Sequence, residues 1–232
     1  MDPLSTALEG ARNAILACNY DEAAALCRGI LGRYPKHIEA TTLLAEAHRE
    51  RGRAAEAQDL LYRVLSADPE SILARWALGL LMLDQNRPDE GVASLVVAHE
   101  LAPANQEILN DLLPLVQGGG RGVKPSRALL GRFYAGMGLY ERAADEFRAV
   151  LKADPCRLDV WVALAEVLWR DKRPDEASAV CQAILGESPD CLKAILILAD
   201  TYRSSDEPTL AAELEARARS LDPANALIDT LR

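Results

Sequence analysis

The chain reads as an all-α solenoid built from helix–turn–helix units. Three observations carry that reading. Ala occurs 39 times and Leu 37 times among 232 residues, so two strong helix formers make up about a third of the chain. Aromatic residues are only 5% of the chain, and the β-branched types that favour strands are sparse. Prolines recur at a fixed interval: Pro35, Pro69 and Pro103 lie 34 residues apart, and Pro155, Pro189 and Pro223 repeat that spacing. A fixed period of about 20–50 residues is the mark of stacked repeats.

The elements follow in order within this frame. The first unit keeps Ala23-x3-Cys27 and ends at Pro35. The second has Leu44-Ala45, Ala57-x3-Leu61 and Pro69. The third has Leu78-Gly79, Gly91-x3-Leu95 and Pro103. The fourth reads Leu130-Gly131-x2-Tyr134, Ala143-x3-Phe147 and Pro155. The fifth has Trp161-x2-Leu164-Ala165-x2-Leu168, Ala177-x3-Cys181 and Pro189. The sixth keeps Leu198-Ala199-x2-Tyr202, Ala211 and Pro223 but places Glu215 where a large apolar residue is expected. Ala23, Ala57, Gly91, Ala143, Ala177 and Ala211 share one column, where two helices must approach closely. Second helices open with Pro in Arg87-Pro88-Asp89-Glu90 and Arg173-Pro174-Asp175-Glu176. Proline is tolerated there because the missing N–H has no partner to lose, and the acids favour the positive helix end. The proline closing each unit stops its second helix.

These motifs resemble the tetratricopeptide repeat family, whose pattern is W-x2-L-G-x2-Y, then A-x3-F, then P. The resemblance covers nearly the whole chain in six units. It implies a right-handed superhelix whose first helices line a concave face, where partners bind. It implies little about which partner, because one fold hosts many functions.

The period breaks at residues 104–123. Gln106 to Val116 reads as a lone first-type helix with Pro114 as a potential kink, followed by the glycine-rich run 118–123. After Pro223, Ala224 to Ile228 reads as a short C-terminal capping helix; repeat stacks need caps over their end faces. The organisation is therefore residues 1–117 (three repeats and a capping helix), a linker at 118–123, and residues 124–232 (three repeats and a short cap). One continuous superhelix and two hinged modules both accommodate this. Burial of apolar faces between neighbouring repeats favours the former.

Composition excludes several functions. The formal net charge of −9 argues against general nucleic-acid binding. The most apolar run, 72–83, is short and contains Arg75, so membrane insertion is not expected. An odd count of five cysteines without C-x-x-C suits a reducing cytoplasm. Arg far outnumbers Lys, 21 to 5, which points to a GC-rich, bacterial genome. Cys27 and Cys181 are expected in the core, Cys156 and Cys191 near exposed turns, and His37, His48 and His99 at the surface or the groove edge. No metal-ligand spacing, phosphate loop or catalytic constellation is present, so no cofactor is expected and the chain does not read as an enzyme.

A partner-binding groove is expected instead. Helical spacing places columns two, five, nine, twelve and thirteen of each first helix on one stripe. The ninth column reads Arg12, Glu46, Leu80, Arg132, Glu166 and Asp200, and alternating charge suggests pairing across adjacent helices. The twelfth reads Ile15, Arg49, Leu83, Ala135, Trp169 and Arg203. The third unit adds Leu73 and Trp76, giving four large apolar side chains with Leu80 and Leu83. Such a stripe suits a peptide or an amphipathic helix; the competing reading packs it against the lone helix. Val162 joins the stripe in the fifth unit. The Lys/Asn pair with which the family's chaperone-binding members grip a C-terminal carboxylate is missing from the matching positions. The expected function is a protein-interaction scaffold. The alternatives are a regulatory segment of a longer protein, which the end at Arg232 within a short helix would fit, and a self-assembling structural protein that forms homo-oligomers.

Overall fold

The computed structural model describes residues 3–117, 126–205 and 207–223. Among them are thirteen helices and no strand. The first half comprises α1 (Pro3–Leu16), α2 (Tyr20–Arg33), α3 (Ile38–Glu50), α4 (Ala54–Ala67), α5 (Ile72–Asp84), α6 (Pro88–Leu101) and α7 (Gln106–Gln117). The second half comprises α8 (Arg127–Gly136), α9 (Tyr140–Ala153), α10 (Leu158–Arg170), α11 (Pro174–Glu187), α12 (Leu192–Ser204) and α13 (Pro208–Leu221). Each odd–even pair of α1 to α6 packs as a unit, as do α8 with α9, α10 with α11 and α12 with α13; α7 packs on α6. The linker expected at 118–123 and the cap expected at 224–228 lie outside the described residues.

The 34-residue register is visible in the backbone. In the first five units the turn between the two helices has one residue in the left-handed region: Cys18, Gly52 and Asn86 in the first half, Gly138 and Lys172 in the second. Only two of these five are glycine, although a side chain there is sterically unfavourable. Packing of the flanking helices sets the turn and overrides the local preference.

The small-residue column is the closest approach within each unit. Ala23, Ala57, Ala143 and Ala177 are fully buried and Ala211 nearly so. At Gly131 a Cβ would lie 2.6 Å from Cε1 of Phe147, so the glycine makes room for that ring. The apolar core divides in two. A smaller cluster joins α1, α2 and α3, while a larger one runs from Ile38 to Leu221 and draws on both halves. Pro88, Pro174 and Pro208 each open a second helix. Pro114 lies inside α7.

Several expectations need correction. All three histidines are buried rather than at the surface. His37 caps α3, its Nδ1 accepting a hydrogen bond from the Ala40 N–H at 3.5 Å. Cys191 is fully buried at the start of α12, and burial pushes its thiol up to about 12. Cys27 and Cys181 are buried as expected, and Cys156 is exposed. Val162 is 1% exposed and belongs to the core rather than to a groove.

Candidate protein-binding groove

Five of the stripe residues come together. Glu46, Arg49, Leu73, Trp76 and Leu80 surround a pocket of about 190 Å³, completed by Thr42, Leu61 and Ala77. The repeat explains the convergence. Neighbouring first helices α3 and α5 stand in register, and spacings of three and four residues hold Leu73, Trp76, Ala77 and Leu80 on one side of α5. Leu73 remains 45% exposed. Burial raises the Glu46 carboxyl above its ordinary value, against the charge of Arg49 and with that of Glu50. Arg49 itself pairs with Glu50.

Trp76 has a second attachment. Its indole Nε1–H donates to Asp111 Oδ2 on α7 at 2.7 Å. The lone helix therefore holds the polar edge of the ring, while it buries its own Ile108 and Leu112 completely. Leu83 departs from the stripe. A Cβ on Gly91 would lie 2.7 Å from Leu83 Cγ, so Leu83 packs into α6 within its own unit.

The other stripe residues do not gather at this pocket. Arg12 bonds through Nε to Glu39 Oε1 at 2.6 Å and not to Glu46. In the second half, Trp169 Nε1–H donates to Asp200 Oδ2 at 2.9 Å, tying α10 to α12. Arg203 holds Asp200 at 3.0 Å and also pairs with Glu215. Arg132 and Glu166 do not pair with each other either. Arg132 bonds Glu70 and Asp159, while Glu166 bonds Arg170 and Lys193. The charges of the ninth column thus find partners outside the column, because side chains from turns and neighbouring columns reach them first.

Glu70 belongs to the α4–α5 turn of the first half, and its partners Arg132 and Lys193 stand on α8 and α12 of the second. Further contacts join the same edges. Lys36 Nζ meets Asp190 Oδ1 at 2.8 Å, Ser66 Oγ meets Ser188 Oγ at 2.7 Å, and Arg157 Nη2 donates to Glu100 Oε2 at 2.6 Å. Asp159 is fully buried, receiving hydrogen bonds from Arg157 and Arg132. Burial alone would raise its carboxyl, but Arg157, Arg132 and Arg75 hold it below the ordinary value. Burial likewise opposes the Lys193 charge, yet Glu70 and Glu166 raise its ammonium above the usual range. No local pattern marks Glu70 or Lys193, since Glu70 finds its partners on the other half 62 and 123 residues away in sequence.

Asp68 gives this contact a pH dependence. Burial, then the charge of Glu70, lifts its carboxyl to about 6. A raised carboxyl binds its proton more tightly in the folded chain than in the unfolded one. Its contribution to stability is therefore largest below about pH 4 and is lost as pH rises toward 6. Asp68→Asn is expected to remove this component. The fall in urea midpoint between pH 4.5 and 7 should be smaller in the variant than in the parent chain, and an unchanged profile would contradict the assignment.

Sequence models of the tetratricopeptide repeat match residues 14–78, 72–95 and 129–190. The chain belongs to the tetratricopeptide repeat family. No curated protein sequence matches it. Among solved structures, the tetratricopeptide repeat domain of P58(IPK) is 16% identical with a TM-score of 0.42, the match covering 99% of this chain and 66% of that one. A tetratricopeptide repeat protein from Parabacteroides merdae ATCC 43184 is 15% identical with a TM-score of 0.44, covering 100% and 84%. The TPR2AB domain of yeast Sti1, in complex with an Hsp90 peptide, is 16% identical with a TM-score of 0.44, covering 98% and 93%. Repeats of this family commonly mediate protein–protein interaction. Among the described residues no helix is long and apolar enough to cross a membrane.

Proposed function

We propose that the protein is a non-catalytic scaffold that holds an apolar segment of a partner protein in the groove between α3 and α5. The observation that carries this reading is the pocket around Leu73, Trp76 and Leu80, flanked by Glu46 and Arg49. Its size decides the class of ligand. At about 190 Å³ it lies below the roughly 300–1,000 Å³ of small-molecule sites, so it suits an anchoring side chain rather than a whole substrate or cofactor. An aromatic wall beside aliphatic side chains, with charge at the rim, is the composition of a binding hot spot. The first helices are held by their own packing, so little order is lost on the scaffold side when a peptide docks. A cytoplasmic, bacterial setting remains part of this proposal, as does the division into modules 1–117 and 124–232.

Peptides selected from a displayed random library against the whole chain provide the test. Leu73→Glu and Leu80→Glu put charge into the pocket and keep a good helix former. Each is expected to weaken a selected peptide by tenfold or more, about 1.4 kcal/mol, with circular dichroism unchanged. Trp76→Phe keeps the apolar body but loses the bond to Asp111, and should weaken binding less than Trp76→Ala. Selected peptides that bind all these variants as tightly as the parent chain would refute the groove.

A further inference from the structure

The prolines that close the repeats differ in one respect. Pro35, Pro103, Pro155 and Pro189 are exposed, whereas Pro69 is buried. Its turn, Asp68-Pro69-Glu70, is covered by the second half. The Glu70 carboxylate reaches the first helices there. One oxygen accepts from Arg132 Nη1 on α8 and the other from Lys193 Nζ on α12. Lys193 also donates to Glu166 Oε2 on α10 at 2.8 Å. Two first helices, α8 and α12, thus hold one acidic side chain, and Glu166 of α10 shares the lysine that does so. On the face expected to receive partners, the turn occupies the place of a ligand.

We infer that the first-helix face of α8, α10 and α12 is a binding site for an acidic peptide turn, kept filled by the chain's own Asp68-Pro69-Glu70. The charge inventory at this contact supports it. On the second half's side four cations, Arg132, Arg157, Arg170 and Lys193, face two acids, Asp159 and Glu166. The first half adds the acids Asp68, Glu70 and Glu100 and the cation Arg75. In the closed chain Arg132, Arg157 and Lys193 are about one-fifth exposed, and with the first half withdrawn the face loses Glu70 and Glu100 and keeps an excess of positive charge. An external carboxylate restores the balance.

The contact carries the polar pairs Lys36–Asp190, Ser66–Ser188, Glu70–Lys193 and Glu100–Arg157 beside an apolar core that both halves share, so release of the turn has to break the ion pairs and expose part of that core. A tethered turn competes at an effective concentration on the order of millimolar, so it masks the site from weak ligands and yields to tight or abundant ones.

The experiment uses the full chain and a fluorescent peptide of residues 64–73 (VLSADPESIL) as probe. Glu70→Lys sets a cation against Arg132 and Lys193. It is expected to enlarge the radius of gyration in X-ray scattering and to raise probe affinity at least tenfold over the parent chain. A probe with Gln in place of its Glu should lose that gain. Helicity by circular dichroism confirms that each variant is folded. Glu70→Gln, which removes the charge without repulsion, should shift both readouts in the same direction by less. If Glu70→Lys and Glu70→Gln leave size and probe binding unchanged, the turn is not a latch. If the chain expands but the acidic probe binds no better than its Gln form, the site does not read a carboxylate. Either outcome overturns the inference and leaves the groove of α3 and α5 untouched.

Discussion

Asp159→Asn is expected to lower stability by about 3–5 kcal/mol at neutral pH, the range for breaking a buried ion pair from one side. The carboxylate is fully buried, it takes hydrogen bonds from Arg157 and Arg132, and the Arg75 charge lies close enough to lower its pKa. An amide keeps the shape but withdraws the charge, so that Arg157 keeps only Glu100, and Arg132 only Glu70, as ion-pair partners. Near 60 °C, a chain of 150–250 residues loses roughly 2–4 °C of melting temperature per kcal/mol, so a drop of about 6–20 °C is the expected reading. The pH dependence supplies an independent check. A lowered carboxyl contributes stability that is present above the unfolded value and lost as pH falls through the folded one. The gap between parent and variant should therefore begin to narrow as pH falls below about 4, the unfolded value. A gap that stays constant as the pH is lowered further would mean that geometry rather than charge is what Asp159 provides.

Phe147→Ala should cost about 3–5 kcal/mol, the usual range for deleting a buried aromatic ring. Phe147 is 0% exposed and is the largest of the fully buried side chains. Its neighbour Gly131 makes the prediction sharper. Gly131→Ala puts a methyl 2.6 Å from the ring and should cost roughly 1–3 kcal/mol by overpacking. In the Phe147→Ala background the ring is gone, so the same methyl should cost little. Contacting residues couple in this way, and urea unfolding of the four chains measures the coupling directly. Additive losses would show that Gly131 serves helix geometry alone.

The groove was partly legible from spacing. Glu46, Arg49, Leu73, Trp76 and Leu80 are expected on one stripe and do line one pocket, because helical pitch puts each set on one side of its own helix and the packing of α3 against α5 brings the two sets together. Leu83 was expected beside them and instead packs on Gly91. Spacing assigns a residue to a face, but it does not say which of two flanking neighbours a side chain at the edge of that face will choose. The same applies to Trp76, whose polar edge was claimed by Asp111 on the lone helix.

By itself the sequence determined the helices, the 34-residue register and the small-residue column that brings paired helices together. These follow from rules that act within a few turns of chain: helical pitch, proline at unit ends, and the space left where Cβ atoms would meet. Only the tertiary structure decided that Pro69 and the three histidines are buried, that Asp159 is held by arginines, and that Glu70 finds its partners on α8 and α12. Glu70 and Arg132 are 62 residues apart, and Glu70 and Lys193 are 123 apart. Ion pairs at such separations are selected by how two stacks of helices dock, a choice that leaves no periodic mark on either stack.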